Sequence, residues 1–202
     1  MDQLESALGR MGILSQKTDI RPVFVDDPGE LSKICSALIL SGEDVAIDFE
    51  GVDLCRHDSD ALFHLHNTRM TNFYDLQIAS CMRQDALEGC RDRFVHGLGK
   101  ATAEYLRMSG ESAQLSEAAK NKGKTLFAPE LGGSYDVWKK RPLDPALMEY
   151  AAGDVKILHK MKAAWLEYSP ESRNTSASAM RIQKAINASK APKGRHMAIK
   201  DF

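Results

Sequence analysis

The chain has 202 residues, 43% of them hydrophobic, with a formal net charge of −1. That length supports one core of moderate size and argues against two full domains. Near-neutrality excludes a global electrostatic pull toward nucleic acid, so any such binding must use local patches.

The four cysteines, Cys35, Cys55, Cys81 and Cys90, form no C-x-x-C pair. This suits a reducing compartment, and an intracellular location, cytoplasm or nucleus, is expected. The longest apolar run, Ile34 to Leu40, is too short to span a bilayer. The acidic Asp2 and Glu5 do not fit a signal peptide, so no membrane association is expected.

Three stretches differ in character. Residues 1–20 are a weakly patterned N-terminal extension, and residues 21–168 carry the periodic signals. Residues 169–202 are polar and biased to lysine and arginine, including Arg173, Arg181 and Lys184. Such a stretch reads as a partly disordered basic tail with a short helix near Ala179 to Ala188, or as an arm that touches phosphates.

In chain order, Pro22 to Val25 is a short strand candidate. Asp27 can cap a helix with Pro28 at its first position, and Leu31, Ile34, Cys35 and Leu38 share one face. Gly42 stands where a helix commonly stops. The alternation of Val45 to Glu50 predicts a strand. Side chains two apart on a strand share a face, so Asp48 and Glu50 project together. Two such carboxylates repel unless a cation lies between them, and a divalent ion bound by hard oxygens answers that need. A half-exposed strand with a polar outer face accounts for the same pattern.

Asp58 or Ser59 can cap the next helix, with Asp60 in its first turn. His64 and His66, two apart, point to different helical faces, and with His57 they read as solvated or packing residues. Phe94 to Leu106 reads as a helical region weakened at its start by Gly97 and Gly99. Gly123-Lys124-Thr125 invites a phosphate-loop reading, but Ala118 stands where that loop needs its first glycine. Lys122, Lys124, Lys139, Lys140 and Arg141 form a basic cluster, either a phosphate contact or a solvated face.

Asp144-Pro145 opens a helix whose apolar stripe runs through Leu147, Ala151, Val155, Leu158 and Trp165. Tyr150 and Asp154 are four apart and stack on one face, with Gly153 between them as a point of bending or close approach. Metal-assisted phosphoryl hydrolysis needs carboxylates for ions and a group to orient water, and this pair can supply both. A tyrosine hydrogen-bonded to an aspartate is the structural alternative.

These segments together resemble the DEDDy 3′–5′ exonucleases, in particular the ribonuclease D-like branch and the eukaryotic 3′–5′ exonuclease domain proteins. Asp48-Phe49-Glu50 is similar to the first motif. Cys55 to Leu62 followed by Phe73 to Ala79 is similar to the second, and Trp138 to Leu143 followed by Tyr150 to Val155 to the third in its tyrosine form. The likeness covers residues 21–168, the expected exonuclease-like domain. It implies an α/β, ribonuclease H-like exonuclease fold. It further implies that Asp48, Glu50, Asp58 and Asp154 hold two Mg²⁺ or Mn²⁺ ions, and that Tyr150 orients the attacking water. Asp60 is the other candidate for the second-motif acid. The implied reaction is stepwise release of nucleoside 5′-monophosphates from single-stranded 3′ ends of RNA or DNA, with Lys139, Lys140 and Arg141 on the phosphate backbone.

One departure bears on all of this. The family places a hairpin, a helix and a further strand between its first two motifs, whereas Asp48 and Asp58 are ten residues apart. The expected sheet is therefore reduced, and an exposed edge that self-associates is expected. An inactive module binding RNA or a protein partner, or a truncated variant lacking an internal segment, is the alternative function.

Overall fold

Helix starts are set by short acidic side chains that accept from backbone amides the helix cannot satisfy itself. A computed structural model of the protein describes residues 22–49, 58–89, 94–109 and 114–187. Within them, α1 (Pro28–Ser41) begins where Asp27 accepts from the Glu30 amide at 2.7 Å and ends at Gly42 in the left-handed conformation. It is followed by α2 (Asp58–His66), α3 (Leu76–Glu88), α4 (Leu98–Ser109) and α5 (Gln114–Phe127). Two short 3-10 turns, Pro129–Leu131 and Tyr135–Lys139, lead to α6 (Pro145–Val155), α7 (Leu158–Trp165) and α8 (Glu171–Asn187).

The fold differs from the α/β, ribonuclease H-like expectation: among the described residues there is no β-sheet, and Phe94 alone has bridge geometry. Residues 22–25 and 45–49, expected as strands, run without ladder partners. The physical reason lies in the short link between Asp48 and Asp58. A strand satisfies its backbone only through neighbours, and ten residues cannot supply them.

The central element is α3. Six consecutive residues, Ile78 to Arg83, are buried, so the helix is covered on every side. It packs against α4, α7 and α8. Ala79, Ala101, Tyr105, Met161 and Trp165 form one cluster, and Ile78, Met82 and Ala177 a second. Arg83 and Glu104 form a buried ion pair between α3 and α4. A third cluster, Phe127, Ala128 and Leu147 with Trp138 and Tyr150 against it, joins α5 to α6.

The helix expected near residues 179–188 starts at Glu171 and packs against α2 and α3. Asn174, fully buried, locks it in place. Its carbonyl accepts from the Asp75 amide at 2.8 Å, and its amide donates to the Asp75 carbonyl at 3.0 Å and to Ser169 Oγ at 2.9 Å. Arg181, read as part of a basic tail, pairs with Asp75 Oδ2 at 2.8 Å. At the other end of the described chain, α1 buries only Ala37 and leaves Leu31, Ile39 and Leu40 exposed.

Candidate metal and nucleic-acid site

Closest approach of two helices positions the site. At Gly123 of α5, an added Cβ would lie 2.5 Å from Tyr150 Cβ and 2.9 Å from the Ala146 carbonyl oxygen on α6. Only a residue without a side chain allows that spacing. One turn before Gly123 stands Lys120, and one turn after Tyr150 stands Asp154. The two meet as an ion pair, Lys120 Nζ to Asp154 Oδ1, at 2.5 Å. Asp154 is buried and Lys120 partly so.

Asp48 lies in residues 43–49, which belong to no helix or sheet, near enough to this pair to feel both of its charges. Its carboxyl accepts from the Phe49 amide at 3.1 Å. Much of the residue touches solvent, yet the surrounding protein removes enough water to raise its pKa. The negative charge of Asp154 raises it further, while the Phe49 amide and Lys120 oppose the shift. Two carboxylates from distant parts of the chain thus sense one another, and one ammonium acts on both.

Tyr150 sits four residues before Asp154 and is embedded in aromatic side chains. Its ring meets Phe127 edge-on at 5.0 Å between centroids and Trp138 at 6.5 Å. This fixes the ring and ties it to α5.

Of the other expected residues, Glu50 lies outside the described residues. Asp58 opens α2, and its side chain, like that of Asp60, lies outside them too. Lys139 pairs with Asp136 at 3.1 Å on an exposed surface, and Lys140 is exposed. Arg141 donates from Nη1 to the carbonyls of Trp138 and Lys140, each at 2.9 Å, and its guanidinium stacks 5.0 Å from the Phe24 ring. Gly123-Lys124-Thr125 is helical, so its glycine serves helix approach and not a phosphate cradle.

Comparison of the chain with family models, curated proteins and solved structures finds no match. The case for a site therefore rests on its residues.

Paired carboxylates are hard oxygen donors suited to Mg²⁺ or Mn²⁺, and their mutual repulsion is a standing demand for positive charge. Asp48 and Asp154 fit such an ion on that ground. Among the described residues no group of three or more potential ligands gathers; of the four expected acids Asp48 and Asp154 feel one another's charge, and Glu50 and the Asp58 side chain lie outside those residues. Lys120 was not foreseen from sequence. Its signal was a stripe: Lys120, Gly123 and Phe127 recur at helical spacing and all face α6. Among the described residues no helix is long and apolar enough to cross a membrane.

Proposed function

We propose that the chain is a divalent-metal-dependent 3′–5′ exonuclease acting on single-stranded ends of RNA or DNA. The observation that carries this reading is that the charge of Asp154 acts on Asp48, 106 positions away in the sequence. The resemblance of the first and third motifs to DEDDy exonucleases supports it, since those motifs contain these two acids. In this reading Asp48 and Asp154 hold Mg²⁺ or Mn²⁺, with Glu50 and Asp58 completing a two-ion set. Bound metal would supply charge stabilisation at the phosphate and a more acidic water. Tyr150 orients that water from its aromatic seat, and Lys139, Lys140 and Arg141 line the approach of the phosphate backbone.

A second reading has one observation in its favour. The Lys120 ammonium already neutralises Asp154, as expected of an inactive module that binds RNA or a protein partner without metal.

Degradation of a 5′-labelled single-stranded RNA with Mn²⁺ separates the two. A ladder shortening from the 3′ end, lost in Asp154→Ala, supports the exonuclease. A folded protein, checked by circular dichroism, that leaves the RNA intact supports the inactive module. Unchanged Mn²⁺ affinity in Asp154→Ala would remove the proposed shared site.

A further inference from the structure

Residues 43–49 carry Asp48, yet they belong to no helix or sheet. Among the described residues, no backbone hydrogen bond ties them to another element. Something else must hold Asp48 beside Asp154.

The tether stands four residues earlier. Asp44 Oδ2 meets Lys162 Nζ at 2.5 Å, and the same ammonium meets Glu171 Oε1 at 2.6 Å. It also lies 5.1 Å from the centroid of the Tyr74 ring, whose hydroxyl donates to the Ser169 carbonyl at 2.9 Å. Lys162 itself is well covered, with 18% of its side chain exposed. A lysine on α7 thus gathers three parts of the chain: the segment 43–49, the loop before α3, and the first residue of α8.

The spans match. Four residues, from Asp44 to Asp48, reach up to about 13 Å. Eight residues of helix, from Asp154 to Lys162, cover about 12 Å. The link between α6 and α7 stays close to helical, with Lys156 and Ile157 both in right-handed conformation. The chain from Asp44, held at Lys162, is therefore long enough to bring Asp48 within reach of Asp154. The charge of His159, three residues before Lys162, also acts on Asp44.

We propose that Lys162 is the positioning residue of the site, clamping Asp44 so that Asp48 is delivered to Asp154. The effect on metal binding rests on the function proposed above; the clamp itself does not. Pinning one end of a short segment limits where the other end can reach, and a site held this way gains precision from a contact it does not share.

The test uses ¹⁵N-labelled full-length protein and Mn²⁺ binding together. In the wild type, backbone order parameters over residues 44–48 should be near the rigid value of about 0.85. In Lys162→Met and in the milder Asp44→Asn they should fall below about 0.6, with α7 unchanged, and Lys162→Arg should restore them. Mn²⁺ affinity should fall at least about fivefold in Lys162→Met, recover in Lys162→Arg, and show no further loss when Lys162→Met is added to Asp48→Asn, as coupling requires. Mobile residues 44–48 in the wild type, or unchanged order in both variants, would overturn the clamp. So would loss of order throughout α7 in Lys162→Met with no effect of Asp44→Asn, which marks a merely structural lysine. A wild type that binds no Mn²⁺ would overturn the metal reading, while the order parameters would still decide the clamp.

Discussion

Gly123 and Tyr150 touch backbone to side chain across the α5–α6 interface, with no room for a methyl group between them. The contact sets the depth at which Lys120 reaches Asp154. Gly123→Ala should therefore destabilise the protein by about 1–3 kcal/mol through overpacking, although alanine is the better helix former by about 1 kcal/mol. A lower denaturation midpoint in urea is the expected outcome. A raised one would mean that the helices separate at little cost.

Lys120→Met should change two quantities in opposite directions. Removing the ammonium leaves the buried Asp154 carboxylate unpaired, which costs up to about 3 kcal/mol. The same substitution removes a positive charge that competes for the carboxylates, so Mn²⁺ affinity should rise. Thermal unfolding in EDTA and a calorimetric Mn²⁺ titration measure the two separately.

Acid titration should distinguish Asp44 from Asp48. The hydrogen bond and charge of Lys162 hold the Asp44 pKa below its ordinary value of 3.8. Its ionised form therefore stabilises the fold above that value, and the contribution disappears as pH falls through the lowered folded pKa. Asp44 is 66% exposed, so solvent screening limits the effect to about 0.2–1 kcal/mol. Asp48 has the reverse sign. Its raised pKa means that ionisation opposes folding, and this cost is relieved as pH falls through the folded pKa toward 3.8. At pH 7, Asp44→Asn should be destabilising and Asp48→Asn stabilising. Both differences should vanish below the folded pKa of Asp44, as urea midpoints across the acid range would show.

Asn174→Ala should be among the most damaging single changes. It strips partners from the backbone of Asp75 and from Ser169 Oγ in a fully buried setting. Buried groups left unpaired cost about 1–3 kcal/mol each, so a loss of at least about 2 kcal/mol is expected, with α8 released first. Selective loss of hydrogen-exchange protection in residues 171–187 is the measurement.

Local chemistry made some elements readable from sequence. Asp27-Pro28 and Asp144-Pro145 announce helix starts because the cap is a contact between near neighbours, and both caps form. The alternation of Val45 to Phe49 misled, because a strand is made by its neighbours and the described residues provide none there. The extent of α8 was hidden for another reason. Asn174, Ala177 and Ser178 on its buried side are small or polar, and hydrophobic periodicity does not register them. At the site, Tyr150 and Asp154 share a helical face by spacing alone. The reach of Asp48 to Asp154, and the parts of Lys120 and Lys162, depend on how distant segments meet.

The two tryptophans occupy separate clusters, which divides their fluorescence. Trp165 is fully buried beside Tyr105 and Met161, while Trp138 leans on Phe127 and Tyr150, one helical turn from Asp154. Among the described residues neither buried indole N–H has a hydrogen-bond acceptor, so both should emit toward the short-wavelength end of the tryptophan range. Paramagnetic Mn²⁺ held by Asp154 should quench Trp138 well before Trp165. The chain thus has one native optical reporter for its candidate site and another for its central core.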